Sequence, residues 1–208
     1  MVTGTLFIVS APSGGGKTSL IHELVESVPD VVVSISHTTR APRPGEVDGV
    51  NYYFVSEEEF AQHKAAGRFL EDAAVFDHHY GTSADWVQAQ LASGNDVILE
   101  IDWQGARAVR EKLTRTVSIF ILPPSLQLLA SRLHKRGQDS ASVIARRMAQ
   151  AKAEMSHYHE YDYVIVNNEF AAAANALRSV VVARRHELAR VQLVEAARLH
   201  GLLADSQE

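Results

Sequence analysis

Residues 5–18 read Thr5-Leu6-Phe7-Ile8-Val9-Ser10-Ala11-Pro12-Ser13-Gly14-Gly15-Gly16-Lys17-Thr18, an apolar β-rich run that breaks into a glycine loop ending in a lysine and a hydroxyl. A helix-like segment follows, with Leu20, Ile21, Leu24, Val25 and Val28 at helical spacing, stopped by Pro29 and Asp30. This order predicts a phosphate cradle. Gly14, Gly15 and Gly16 let successive backbone N–H groups turn toward phosphate oxygens, and the helix aims the positive end of its dipole at the same point. Lys17 is then placed to reach the outer phosphates and Thr18 to hold a magnesium ion. One residue departs from the full G-x-x-x-x-G-K-[ST] pattern: Ala11 stands where the first glycine belongs. A merely flexible loop has no reason to deliver strand, loop, lysine, hydroxyl and helix in the sequence that phosphate binding needs.

Working outward, continuous apolar runs predict further strands at Val97–Ile101, Val117–Leu122 and Tyr163–Val166, of the kind a parallel sheet covered on both faces requires. Helical patterns fall at Lys17–Val28, Asp85–Ala92, Trp103–Leu113, Leu126–Lys135 and Ser142–Met155, and one long helix is expected from about Phe170. The alternation predicts a doubly wound α/β core with the glycine loop at a carboxyl end of its sheet. Two stretches interrupt it. Residues 36–90 are rich in Arg, Pro, Tyr, Glu and His, with hairpin-like alternation around Asn51–Val55, and are expected to form an inserted small domain. Residues 124–155 carry Arg132, Arg136, Arg146 and Arg147 around a Gly137-Gln138-Asp139-Ser140 hinge and are expected to form a lid. That leaves 1–35, 91–123 and 156–208 as the core of a single domain.

Composition narrows the function classes. With 208 residues, 46% of them apolar, the chain has material for a substantial core. A formal charge of −5 argues against bulk electrostatic binding of nucleic acid. There is no cysteine, hence no disulfide framework or thiolate metal site, which suits a reducing interior. The apolar runs are too short to span a membrane and the first residues enter a strand without a basic leader, so a soluble cytoplasmic protein is expected. Ten histidines are present, but none has the cysteine or helical partner of a hydrolytic metal site. Trp86 and Trp103 are expected as core or core-edge aromatics. Leu188, Val191 and Val194 suggest a packing face or a homo-oligomer contact.

The insert holds a second cluster, Ser34-Ile35-Ser36-His37-Thr38-Thr39-Arg40-Ala41-Pro42-Arg43-Pro44-Gly45-Glu46, followed by Tyr52, Phe69-Leu70-Glu71 and Tyr80-Gly81-Thr82. Two guanidinium forks three residues apart, on a turn stiffened by prolines, suit one phosphate. The hydroxyls and carboxylate are enough to enclose a nucleoside monophosphate. Singly, these residues have ordinary readings: Arg40 and Arg43 as solvated charges, Glu71 as a helix-surface acid, Tyr52 as a core-edge aromatic.

Together with Ile101-Asp102-Trp103-Gln104-Gly105 and Ile121-Leu122-Pro123-Pro124-Ser125, these strings make the chain resemble the guanylate kinase family in its bacterial form, over about residues 4–190. The resemblance implies a P-loop doubly wound sheet with a GMP-binding insert and a helical lid. It implies transfer of the γ-phosphoryl group of ATP to GMP or dGMP with Mg²⁺. Ser36 and Glu71 fall on the positions that read guanine, whose N1–H and exocyclic amine match a carboxylate as adenine does not. Arg40, Arg43, Tyr52 and Tyr80 fall where the family grips the GMP phosphate, and Thr82 at a base contact. Asp102 matches a ligand of GMP or of the metal's water shell. Many members carry aspartate where this chain has Glu100, so the metal-side role is open between Glu100 and Asp102. Ala11 to Thr18 would seat ATP, and Asn167 matches a contact to its base. Arg136 and Arg147 match the arginines that close on the transferring phosphoryl group, while Arg132 and Arg146 are read as surface ion-pair partners. Two other readings stand beside this one: a relative acting on another phosphorylated acceptor such as a sugar phosphate, and a non-catalytic, protein-binding module of the same fold. Intact Gly16, Lys17 and Thr18 speak against the module.

Overall fold

The computed structural model describes residues 4–75, 77–135 and 141–204. Its strands are β1 (Leu6–Ser10), β2 (Val31–Val33), β3 (His37–Thr38), β4 (Tyr53–Phe54), β5 (Phe69–Val75), β6 (His78–Ser83), β7 (Asp96–Glu100), β8 (Thr116–Leu122) and β9 (Tyr163–Val166). The helices are α1 (Lys17–Ser27), α2 (Glu57–Ala65), α3 (Ala84–Ala92), α4 (Trp103–Lys112), α5 (Leu126–Lys135), α6 (Ala141–Met155), α7 (Phe170–Arg185), α8 (Leu188–Val194) and α9 (Ala196–Ala204).

Five strands form one sheet in the order β2-β7-β1-β8-β9, every pairing parallel. Strict period-two alternation divides their side chains between two apolar layers. Phe7, Val9, Ile98, Ile119 and Ile121 point to α1 and α7, where Leu20, Leu24, Leu177 and Val181 meet them. Leu6, Ile8, Val97, Leu99 and Phe120 point to α3 and α4, against Val87, Leu91, Ala106 and Val109. At about 1.5–3 kcal/mol for each large side chain buried, these layers dominate the stability of the fold. Because β1 is central, its carboxyl end opens among the ends of β7 and β8, where an open parallel sheet binds ligands. The expected doubly wound α/β class is the one observed, and among the described residues no helix is long and apolar enough to cross a membrane.

The chain between β2 and β7 builds a second sheet, β4-β3-β6-β5. The hairpin lies elsewhere than expected. Asn51–Val55 contains only β4, which pairs parallel with β3, whereas β5 and β6 form the antiparallel hairpin. Alternation over five residues cannot distinguish these partners, since both bury every second side chain. Helix α2 carries a reciprocal capping box between Ser56 and Glu59.

Two further expectations are corrected. Strand β9 is an edge strand in which only Ile165 is buried, so it is not covered on both faces. The long C-terminal helix is three helices, and Arg185 and Arg190, on either side of the first break, both bind Asp96. Asp96 Oδ2 accepts from Arg185 Nε at 2.7 Å, and Oδ1 from an Arg190 guanidinium nitrogen at 2.6 Å. Residues five apart lie roughly 140° apart around one straight helix, so only a break between α7 and α8 turns both inward. Leu188 and Val194 are exposed, and so do not form a packing face within this chain.

Candidate active site

The glycine loop takes up the backbone that its sequence requires. Gly14 and Gly16 adopt φ of +85° and +91°, where a side chain is strained, and Gly16 caps α1. The Gly15 N–H closes a turn on the Pro12 carbonyl at 2.8 Å. The first-turn amides of α1 have no partner inside the helix and face the loop. Asn167, buried just after β9, donates from Nδ2 to the Gly15 carbonyl at 3.0 Å, and a Cβ at Gly16 would collide with the same nitrogen. Asn167 therefore braces the loop from beneath.

Beside the loop, the Thr18 hydroxyl donates to Glu100 Oε1 at 2.6 Å, and Lys17 Nζ lies 3.9 Å from the same oxygen. Lys17 also reaches the Ile101 carbonyl at 3.5 Å. Glu100 and Asp102 occupy different positions. Asp102 is the N-cap of α4, its Oδ1 accepting the Gly105 N–H at 2.9 Å. Thr18 and the partly exposed Glu100 offer a pair of hard oxygen donors next to the phosphate loop, which suits Mg²⁺, an ion that keeps several waters and takes few protein ligands. Among the described residues, no group of three or more His, Asp or Glu could hold a metal unaided.

Across from the loop, the second sheet assembles the remaining candidates. Glu71 is buried, so its reading as a helix-surface acid fails. It lies on β5 opposite Thr82 of β6, whose hydroxyl donates to Oε1 at 2.6 Å. Burial pushes its carboxyl up to about 7; the Thr82 hydrogen bond opposes that rise, while Asp102 and Asp72 add to it. Its Oε2 rests on Gly105, where a Cβ would be 2.7 Å away. A buried acceptor pair of this kind answers to a ligand with two adjacent N–H donors.

Arg40 is held by Glu46, with both carboxylate oxygens 2.9 Å from one guanidinium nitrogen. A second nitrogen donates to the Ala41 carbonyl at 2.7 Å. Tyr52 lies 5.4 Å beneath the guanidinium, and Tyr80 is within hydrogen-bonding reach of it. The Arg43 N–H donates to Glu46 Oε2 at 2.7 Å, while its side chain is exposed. Glu46 thus shapes the whole Arg40–Glu46 turn, a role that sequence reading missed although the residue stood in the motif. Burial raises the Tyr52 phenol, and the charge of Glu100 raises it further. Ser36 is half-buried one residue before β3, its carbonyl accepting the Tyr53 N–H at 3.0 Å.

Helices α5 and α6 pack through Leu129, Leu133, Met148 and Ala151, and the two leucines roof Gly14. Arg136 lies outside the described residues. Arg147 is half-buried on α6 and Arg146 is exposed. Arg132 is not the surface ion-pair partner expected: it donates to the Asn167 carbonyl at 3.3 Å. Its other terminal nitrogen is buried without a hydrogen-bond partner among the described residues. Trp86 packs at the core edge, and Trp103, likewise half-buried, is stacked on His157 with ring centroids 3.7 Å apart.

A glycine loop of this geometry at the carboxyl end of a parallel sheet, with a second, smaller sheet inserted between β2 and β7, defines an α/β protein of the doubly wound class. The family model described as guanylate kinase matches residues 3–184. A guanylate kinase of Alkalilimnicola ehrlichii is 56% identical over 200 residues, covering 96% of this chain and 98% of its own. One of Salmonella typhimurium is 54% identical over 207 residues, covering 99% and 100%. The crystal structure of guanylate kinase from Anaplasma phagocytophilum superposes with a TM-score of 0.77 at 35% identity, covering 93% of each chain. The chain belongs to the guanylate kinase family.

Proposed function

We propose that this protein transfers the γ-phosphoryl group of ATP to the phosphate of GMP or dGMP, giving ADP and GDP. The observation that carries this reading is the buried Glu71 carboxylate, oriented by Thr82 and opened by Gly105. An acid held there at a cost in solvation selects a base that donates twice, as guanine does from N1 and its exocyclic amine. Ser36, one residue before β3 of the same sheet, is a further base contact. Arg40, preset by Glu46, binds the acceptor phosphate together with Arg43, Tyr52 and Tyr80.

On the donor side, the loop amides and Lys17 hold the ATP phosphates, and Asn167 with Arg132 supports the loop and the base. Thr18 and Glu100 would hold Mg²⁺, while Asp102 remains a helix cap that adds charge near the acceptor. When bound, Mg²⁺ neutralises charge on the phosphate oxygens. A GMP phosphate oxygen attacks the γ-phosphorus and the bond to ADP breaks, so no protein side chain is covalently modified. Charge spreads over the moving group's oxygens, and the residues' task is positioning and cation placement. Lys17 and Arg40 approach from the two sides, and Arg147, with Arg136, from the lid formed by residues 124–155. Closure of that lid and of the GMP-binding insert, residues 36–90, excludes water that would otherwise hydrolyse ATP. The proposed setting is the cytoplasm, consistent with a chain that has no cysteine.

A coupled ADP-release assay with ATP, Mg²⁺ and either GMP or AMP tests this reading. Turnover with GMP at least a hundredfold more efficient than with AMP is expected. Absence of turnover with GMP would overturn it.

A further inference from the structure

One half-buried acid next to the loop has no part in the mechanism above. Glu154, the penultimate residue of α6, accepts the Ser13 N–H on Oε2 at 3.1 Å, joining two segments 141 residues apart. Burial disfavours its charge and Asp102 does so too, while the Ser13 N–H and Lys17 favour it. Immediately next to this bond, Leu129 and Leu133 lie 3.1 Å from where a Gly14 Cβ would be. The two leucines also carry Met148 and Ala151 of α6. The helix pair therefore touches the loop twice, through a polar contact at Ser13 and an apolar one at Gly14.

Arg147 precedes Glu154 by seven residues, two helical turns, so both lie on the same face of α6, roughly 10 Å apart along its axis. The apolar contact has no direction and permits rocking. The hydrogen bond is directional and fixes the lower end of the helix in register with the loop. A tilt at Glu154 is carried along α6 to Arg147.

Resting on the phosphoryl-transfer reading, we propose that Glu154 is a positioning residue: it registers α6 against the phosphate loop so that Arg147 arrives at the transferring group. Glu154 touches no reacting atom and acts through the placement of another side chain.

Steady-state kinetics of wild type, Glu154→Gln, Glu154→Asp, Glu154→Ala, Arg147→Ala and the Arg147→Ala/Glu154→Ala double variant test this, with thermal unfolding followed in parallel. Gln keeps an acceptor oxygen at the same reach and is expected to retain kcat within about threefold. Asp keeps the charge but withdraws the acceptor by one methylene, and Ala removes it; both are expected to lower kcat about tenfold or more with KM for GMP unchanged. The double variant is expected to be no slower than Arg147→Ala alone, since the two changes remove one function. Wild-type kcat in Glu154→Ala, equal losses in Gln and Ala, or losses that multiply in the double variant would each overturn the inference. Should the Ala variant not fold, the comparison of Gln with Asp carries the test. A wild type that turns over neither GMP nor AMP overturns the functional reading instead, so the two failures are distinguishable.

Discussion

Glu71 Oε2 sits 2.7 Å from the point where any residue other than glycine at position 105 would place its Cβ. The glycine of the Asp-Trp-Gln-Gly string is inside a helix, where it costs about 1 kcal/mol relative to alanine. Its presence is explained by the carboxylate packed on it. Gly105→Ala is therefore expected to displace Glu71 and raise KM for GMP at least tenfold while leaving KM for ATP unchanged. Steady-state kinetics with each substrate varied in turn checks this.

The raised carboxyl of Glu71 makes stability depend on pH. Its folded value of about 7 lies above the ordinary 4.5, so between those two pH values the folded state keeps a proton that the unfolded chain has released. The associated stabilisation is complete below 4.5 and is lost as pH rises to 7. Glu71→Gln cannot ionise and escapes that loss. Its Tm should match wild type near pH 4.5 and exceed it increasingly up to pH 7, by the equivalent of about 3 kcal/mol, then remain level. Thermal unfolding across that range without nucleotide measures the gap. By the same linkage, apparent affinity for GMP should fall below pH 7, because the base requires the ionised acid.

Thr18 and Glu100 make a separate prediction. Glu100→Gln removes the charge opposite Thr18 while keeping an oxygen there. The Mg²⁺ concentration for half-maximal rate should rise about tenfold or more, and saturating Mg²⁺ should restore much of kcat. Asp102→Asn, which keeps an oxygen for the N-cap, should leave the Mg²⁺ requirement near wild type.

At the opposite end of the sheet, Asp96 is fully buried with Arg185 and Arg190. Asp96→Ala leaves two partly buried guanidinium groups and the Thr5 N–H without this acceptor. A loss of about 3–5 kcal/mol is expected, read as a lower Tm. At temperatures where the variant remains folded, kcat should be unchanged, since Asp96 begins the strand whose far end carries Glu100.

What could be read from sequence follows the range of the interactions involved. The phosphate loop was legible because Gly14 to Thr18 set their own backbone. The two apolar layers were legible because β1 is buried throughout and β7 and β8 are buried along their apolar runs. The hairpin was misplaced, since five alternating residues around Tyr53 do not specify which strand pairs with them. Glu71 gave no local sign of burial, which arises from Thr82 across the hairpin and Gly105 on a distant helix. The break after Arg185 depends on Asp96, 89 residues earlier. Arg132 looked like any surface arginine until Asn167 was placed beside it. Glu154 carries no motif at all; its spacing of seven residues from Arg147 was the one available sign.

On this reading a buried carboxylate, Glu71, chooses guanine. The kcat/KM for GMP relative to AMP, measured in wild type and in Glu71→Gln, tests it most directly. The ratio is expected to fall by at least a hundredfold in the variant, because an amide presents one donor where guanine needs an acceptor. A Glu71→Gln protein that folds, turns over and prefers GMP as strongly as wild type would contradict the account.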